Sequence, residues 1–344
     1  MATPAIGRLR EAFPDARIEL LTTDWAEPAV RGCTLVDEVI CVPAGLFFSK
    51  SASSLAGLVR LLMQLRSRNY DIAVVFHVSR MIHRWVAFTG IPNRFGFGKV
   101  ASARLVLLEE MRHSALVNCD LADLVINSSG GKQLAEVSMT DLKYHWKISP
   151  DEDESASRYL NEAAIVHPFA VLFPGGGSNP SVTNTERRWP ADKYAELAIW
   201  LREERKLHVL ILGGASDTAV AEQVVELVGN DVISLAGLTD LRTTAAIVAR
   251  AEVSISNDSA PMHISSAVGT PTVGVFGPTG ARTKAPLGER CASVSLGLPC
   301  SPCYFTKFQG CIYDNIRCMN ELSASRVAES VTRILAGAEQ TSHE

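Results

Sequence analysis

Two stretches of the chain carry residue types suited to holding an anion. Residues 253–279 read VSISNDSAPMHISSAVGTPTVGVFGPT. A short apolar strand, Val253–Ser256, breaks at Asn257-Asp258-Ser259, and a brief helix beginning near Ala260 is ended by Gly269. Short oxygen-bearing side chains suit a helix N-cap. The free N–H groups there, with the positive end of the helix dipole, suit a phosphate. His263 falls four residues after Ser259, one turn on, and so projects near the same mouth. A capped helix with a surface histidine fits the same spacing. The second stretch, Ser178–Pro190 (SNPSVTNTERRWP), sets Arg187 and Arg188 after a hydroxyl-rich loop containing Thr183 and Thr185. Guanidinium groups pair with phosphate oxygens through two hydrogen bonds, so this loop suits a diphosphate. A solvated arginine pair with Trp189 packed under the loop is the alternative. Asp217, after Gly213-Gly214-Ala215, suits either a ribose hydroxyl or an exposed N-cap. Four of the eight cysteines, Cys300, Cys303, Cys311 and Cys318, crowd a nineteen-residue segment. That spacing suits a tetrahedral thiolate site, reduced core thiols, or a disulfide in an oxidising compartment.

These groups need elements to position them. In the second half, buried strands at 169–173, 208–212, 232–235, 253–256 and 272–276 alternate with helices at 191–205, 218–228 and 241–251. Such alternation predicts an open, doubly wound parallel sheet whose ligands sit at the carboxyl ends of the strands. Three of those ends carry small or polar loops, at 174–189, 213–217 and 257–263. The first half shows strands at 17–21, 39–42 and 71–76 with helices at 55–65, 79–89 and 116–126, but it opens on a helix at Thr3-Pro4 rather than on a strand. The acidic run Asp151–Glu154 reads as a solvated helix start rather than a metal site. The expected division is 1–160, 161–320, and a closing helix and tail over 321–344 that packs back across the junction. At 344 residues with 47% hydrophobic content, each half can bury a core. A net charge of −4 argues against a general nucleic-acid binder. No apolar run reaches the roughly 18 residues of a membrane span, and the N-terminus lacks a signal-peptide pattern, so a cytoplasmic location is expected. Neither G-x-G-x-x-G nor G-x-x-x-x-G-K-[ST] occurs, which counts against nicotinamide redox and P-loop chemistry.

PGGGS…RRWP, the LGG…SD loop and SNDSAPMHISSAVGTPTVGVFGPT together resemble the ADP-heptose:lipopolysaccharide heptosyltransferase family, glycosyltransferase family 9. The segments TPAI…FPDARIELLT and Arg94-Phe95-Gly96-Phe97 extend the resemblance into the first half. It implies a GT-B fold, with two Rossmann-like domains facing a cleft and the nucleotide sugar held by the C-terminal one. It implies an inverting single displacement that needs no cofactor, with ADP-heptose as donor. The acceptor would be a lipopolysaccharide inner core or lipid A-Kdo at the inner membrane face, which makes the enzyme cytoplasmic or peripheral to that membrane. Arg187 takes the place of the family's basic residue on the nucleotide phosphates. Asp258, Ser259, Ala260 and His263 match its D-[ST]-[GA]-x-x-H motif, while Thr183 and Thr185 fall in its phosphate-side loop. Some relatives hold a metal at a C-terminal cysteine segment, so structural Zn or Fe is a candidate at Cys300, Cys303, Cys311 and Cys318. His77, Arg80, His83 and Arg84 crowd the end of the 71–76 strand. Arg80 and Arg84 are the candidates there for acidic groups of the acceptor, with a solvated helix face as the alternative.

The sequence also departs from the family pattern. The family's catalytic base is an Asp following Gly, in the loop between the first strand and the first helix. This sequence starts at Met1-Ala2-Thr3-Pro4 and contains neither that strand nor that Asp. A truncated or misplaced start accounts for the gap better than an inactive relative does. Asp24 and Glu27, after the 17–21 strand, are the substitute carboxylates. Two other readings compete with the transferase: a GT-B-like sugar-nucleotide epimerase, and a sugar-nucleotide-binding subunit without its base.

Overall fold

The computed structural model describes residues 1–48, 52–98, 104–106, 112–165, 167–179, 182–183, 185–229, 231–303 and 311–341. The chain forms two units, Met1–His145 and Trp146–Glu344.

In the first unit the elements are α1 (Thr3–Ala12), β1 (Glu19–Thr23), β2 (Glu38–Val42), α2 (Gly45–Phe48), α3 (Ala52–Ser67), β3 (Ile72–Val75), α4 (Arg80–Phe88), β4 (Asn93–Phe97), β5 (Arg104–Val106) and α5 (Ser114–Ser129). Its strands are all parallel but fall into two sheets, β1–β2 and β3–β4–β5. Helix α1 packs on α5, where Arg8 donates to Asp123 at 2.6 and 2.8 Å. Polar groups join the two sheets at their N-terminal ends. Arg68 and Tyr70, just before β3, both donate to Glu19 on β1, and Arg68 also reaches Glu38 on β2 at 2.8 Å.

That network makes a pH prediction. Burial would lift the Glu19 carboxyl, but hydrogen bonds from Tyr70, Arg17 and Arg68 outweigh it and hold the group at about 2, below its ordinary 4.5. A carboxyl depressed in the folded state adds stability above its unfolded pKa and loses it as pH falls. The stabilising share of Glu19 is therefore complete above about 4.5 and fades towards about 2. In urea unfolding of the native chain and Glu19→Gln, the gap between their midpoints should narrow across that window. A gap that stayed constant from pH 7 to 3 would contradict the assignment.

The second unit holds α6 (Pro150–Glu162), β6 (Phe169–Phe173), the small hairpin β7 (Ser178–Asn179) and β8 (Val182–Thr183), α7 (Ala191–Glu203), β9 (His208–Ile211), α8 (Thr218–Val228), β10 (Val232–Ser234), α9 (Leu241–Val248), β11 (Val253–Asn257), α10 (Ala260–Ala267), β12 (Thr272–Val275), α11 (Ala281–Lys284), β13 (Cys291–Val294), α12 (Arg317–Asn320) and α13 (Ala324–Thr341). Six parallel strands run in the order β10-β9-β6-β11-β12-β13. Both faces of this sheet are covered, which explains why its strands are continuous apolar runs rather than alternating ones. Ala170 and Leu172 of β6 point into a core with Trp189, Leu197, Val224 and Val327. Phe169, Val171 and Phe173 point the other way, among Leu160, Ile247 and Val248. The acidic run does start a helix. Ser149 and Glu152 cap α6 reciprocally, and Glu152 also pairs with the buried Arg242 at 2.8 Å. Helix α13 packs on α7, β12 and β13.

Chain order sets where a ligand can sit. From β6 the chain builds outwards through β9 and β10, then returns to the other side for β11, β12 and β13. The order reverses between β6 and β11, and in open sheets of this kind ligands sit in the crevice beside the strand ends at that switch point.

Candidate functional site

At that crevice, β6 ends in Pro174-Gly175-Gly176-Gly177, and Gly176 and Gly177 adopt φ of 99° and 80°. The glycines answer a packing demand as well as a backbone one. A Cβ on Gly175 would lie 2.1 Å from Asp217 Cγ, and one on Gly176 would lie 2.7 Å from Ser259 Cβ. Three loops therefore converge through the space that side chains would fill.

Asn257, 1% exposed at the end of β11, ties the loops together. Its Nδ2 donates to the Pro174 and Gly175 carbonyls at 3.0 and 2.9 Å, and its Oδ1 accepts from the Trp189 amide at 3.0 Å. Trp189 is fully buried, donates through Nε1 to the Leu322 carbonyl at 2.9 Å, and meets Tyr194 edge-on at 5.0 Å. This anchor fixes the two arginines that precede it. The Nη1 of Arg187 lies 3.7 Å from Asp258 Oδ2, with the Asp258 side chain only 7% exposed. Arg188 turns back to the glycine loop, donating to the Gly176 carbonyl at 2.8 Å and approaching Asp217 at 3.4 Å.

Asp217 also accepts from the amides of Gly176 and Gly214, each at 3.0 Å. Its oxygens hold the loops in place, so its position serves the crevice walls. Ser259 occupies the N-cap position of α10, yet its hydroxyl bonds Ser256 and the Asn257 carbonyl instead of the helix. The Ser259 side chain therefore makes no cap bond to α10. Ala260 at that turn is exposed and His263 is half-buried one turn later. Thr185 is exposed at the start of the short 3-10 turn Thr185–Arg187, and Thr183 lies in β8.

The sequence reading missed Lys284. It ends α11, reached from β12 through Gly277-Pro278-Thr279-Gly280, and β12 neighbours β11. Burial pulls its ammonium below the ordinary lysine range, Asp258 draws it back up and Arg187 pushes it further down. Asp258 thus stands within electrostatic reach of two cations separated by almost a hundred residues. The only sequence signal was a lysine nine residues beyond the apolar strand, which nothing local distinguishes from a surface one.

The cysteine segment buttresses that same loop. The Cys303 amide donates to the Pro278 carbonyl at 3.0 Å, Ser301 donates to the Gly277 carbonyl, and a Cβ on Gly277 would meet Met319 Sδ at 2.2 Å and Cys318 Sγ at 3.0 Å. Burial raises the Cys303 and Cys318 thiols, Cys318 to about 11, with the neighbouring cysteines adding to the shift. All eight cysteines are free thiols. Among the described residues, Cys300, Cys303, Cys311 and Cys318 do not assemble into a group with metal-ligand geometry, although they lie within electrostatic reach of one another.

In the first unit the substitute carboxylates stand after β1. Asp24 is exposed, and its Oδ1 accepts from the Trp25 and Ala44 amides, each at 2.9 Å. Glu27 forms a two-pronged pair with Arg31 at 2.9 and 2.6 Å. Arg80 and Arg84 are exposed on α4, whereas His83 is buried beneath Gly96 with Nε2 3.0 Å from the His77 carbonyl.

Comparison with known proteins agrees with this architecture. The family described as glycosyltransferase family 9 (heptosyltransferase) matches residues 58–311. The chain is 24% identical over 298 residues to lipooligosaccharide heptosyltransferase 2 of Haemophilus influenzae, covering 84% of this chain and 82% of that protein. It is also 24% identical over 299 residues to lipopolysaccharide heptosyltransferase 2 of Escherichia coli K12, with the same coverage. Among solved structures, E. coli ADP-heptose lps heptosyltransferase II superposes with a TM-score of 0.74 at 21% identity, over 98% of this chain and 95% of that one. A family 9 glycosyl transferase from Veillonella parvula superposes at 0.76 with 18% identity, over 98% and 93%. The fold is thus the GT-B type of these enzymes. Among the described residues, no helix is long and apolar enough to cross a membrane.

Proposed function

The chain belongs to glycosyltransferase family 9 (heptosyltransferase), and from that premise we propose that it transfers a heptose from ADP-heptose to a lipopolysaccharide inner-core acceptor with inversion. The observation that carries the donor assignment is the Arg187–Asp258–Lys284 group, set beside the start of α10, which the Ser259 side chain does not cap, at the sheet's switch point. Two cations and a helix N-terminus in a half-buried crevice match the charge of a diphosphate. Arg187 stands beside Asp258, and Lys284 lies within its electrostatic reach, before the ligand arrives, so little reorganisation is needed when negative charge builds on the departing diphosphate. Gly175 and Gly176 let the loops carrying Asp217 and Ser259 close on the end of β6 beside the ligand.

In the reaction the acceptor oxygen attacks the anomeric carbon as the bond to the diphosphate breaks, which inverts that centre. The acceptor proton passes to a base, and ADP leaves with the electron pair. Asp258 is paired with Arg187, and Asp217 is held by the loops, so neither is assigned the base.

Calorimetry with ADP and AMP tests the donor site. Lys284→Met should weaken ADP binding about tenfold and AMP binding much less, since an ammonium removed from a diphosphate costs about 1.5 kcal/mol. Lys284→Arg should restore most of the loss. An ammonium with a lowered pKa sheds its proton earlier as pH rises, so native ADP affinity should fall on the alkaline side below the ordinary lysine value of 10.5. Lys284→Met should flatten that limb. Equal loss for ADP and AMP would remove Lys284 from the diphosphate. An epimerase would instead convert the nucleotide sugar with no acceptor present, and a binding subunit would hold ADP-heptose without turnover.

A further inference from the structure

Helix α3 carries apolar residues on two faces. Leu58 and Leu61 point into the first unit, while Leu55, Val59 and Met63 are 64%, 42% and 66% exposed. Their spacing of four places them in one outward stripe, which Arg66 continues three residues on. Helix α4 packs against α3 and repeats the pattern, with exposed Met81 and Phe88 on one face and Arg84 between them. Soluble proteins seldom leave apolar rows of this kind uncovered without a use.

The charge of the same region is equally one-sided. From Val39 to Leu108 the sequence holds nine Lys and Arg against a single acidic residue, Asp71, although the whole chain carries a net charge of −4. Arg60, Arg66, Arg80 and Arg84 have no ion pair among the described residues, whereas Arg68 is taken up by Glu19 and Glu38. A second copy of the chain would bring like charge against like charge on this face. An extended anionic surface with an apolar layer beneath it satisfies both halves of the pattern.

We propose that the α3–α4 face of the first unit docks onto an anionic lipid bilayer. Leu55, Val59, Met63, Met81 and Phe88 enter the boundary between headgroups and acyl chains, and Arg60, Arg66, Arg80 and Arg84 meet the lipid phosphates. The proposal does not rest on sugar transfer, because its readout is partition rather than turnover.

Co-sedimentation with phosphatidylethanolamine/phosphatidylglycerol vesicles, beside phosphatidylcholine vesicles, tests it. The native chain should pellet with the anionic vesicles, stay soluble with the neutral ones, and be released by added salt. The triple change Leu55→Gln, Val59→Gln and Met63→Gln should lower partition by at least about tenfold. Circular dichroism and the melting temperature should stay native, since all three side chains face outwards. Arg60→Gln with Arg66→Gln leaves the apolar stripe intact and gives an independent arm, with about fivefold lost per arginine. No binding of the native chain to anionic vesicles, or binding by both variants equal to native, would overturn the proposal. So would a native dimer that the triple variant converts to monomer in equilibrium sedimentation, because the stripe would then be an interface between copies.

Discussion

Arg187→Ala should cut kcat/KM for the sugar-nucleotide donor roughly two-hundredfold, equivalent to about 3 kcal/mol. The magnitude follows from two losses in a half-buried place. The guanidinium no longer meets the phosphates, and Asp258, 7% exposed, keeps its negative charge with one cation fewer beside it. Arg187→Lys should fall between the two, because it retains the charge but not the planar fork. Folding should be unaffected, as Trp189 rather than Arg187 anchors the loop. Donor-limited initial rates and ADP calorimetry on the three proteins provide the measurement. A loss below threefold for Arg187→Ala would mean that the diphosphate lies elsewhere.

Asn257→Ala should destabilise the second unit by about 3–5 kcal/mol. This one side chain satisfies the Trp189 N–H and the Pro174 and Gly175 carbonyls at 1% exposure, and alanine leaves all three buried without that partner. Against a typical margin of ~5–15 kcal/mol that is a large fraction of the whole. Asn257→Asp should fare no better, since a carboxylate accepts from the Trp189 amide but cannot donate to two carbonyls and adds a buried charge. Urea unfolding followed by tryptophan fluorescence should show a lower midpoint with an unchanged slope. Donor affinity should fall in parallel, because Asn257 sets the spacing between the glycine loop and the arginine loop. An unfolding free energy within about 0.5 kcal/mol of native would contradict the tie.

The sheet of the second unit was legible because burial on both faces writes its strands as uninterrupted apolar runs, and FAVLF and HVLI need no partner to be recognised. The acidic run at 151–154 was legible as a helix start for a local reason, the Ser149–Glu152 capping box. Its pairing with Arg242 was not, since that residue lies ninety positions away. The same distinction runs through the site. Arg187 and Asp258 stand in local motifs, whereas Lys284 joins them only because β12 lies beside β11. Asn257 read as a cap, being a short amide before a helix, but the strand runs one residue further and turns its side chain inwards. Asp217 read as a ribose ligand or an exposed N-cap, and Arg188 as half of a pair suited to a diphosphate or a solvated face; their bonds to the glycine loop come from partners far away in the chain. His83 looked like one of four similar groups, and only the glycine opposite, Gly96, shows that it packs inwards. Periodicity reports burial of elements, while the fate of a polar side chain depends on neighbours far away in the chain.

The most direct measurement incubates the chain with ADP-heptose and a lipopolysaccharide inner-core or Kdo-lipid A acceptor, and follows acceptor mass and ADP together. The account predicts that the acceptor gains one heptosyl residue for each ADP released, with inverted anomeric configuration, and that Arg187→Ala suppresses both. Tight ADP-heptose binding with no gain in acceptor mass, or conversion of the nucleotide sugar in the absence of acceptor, would contradict it.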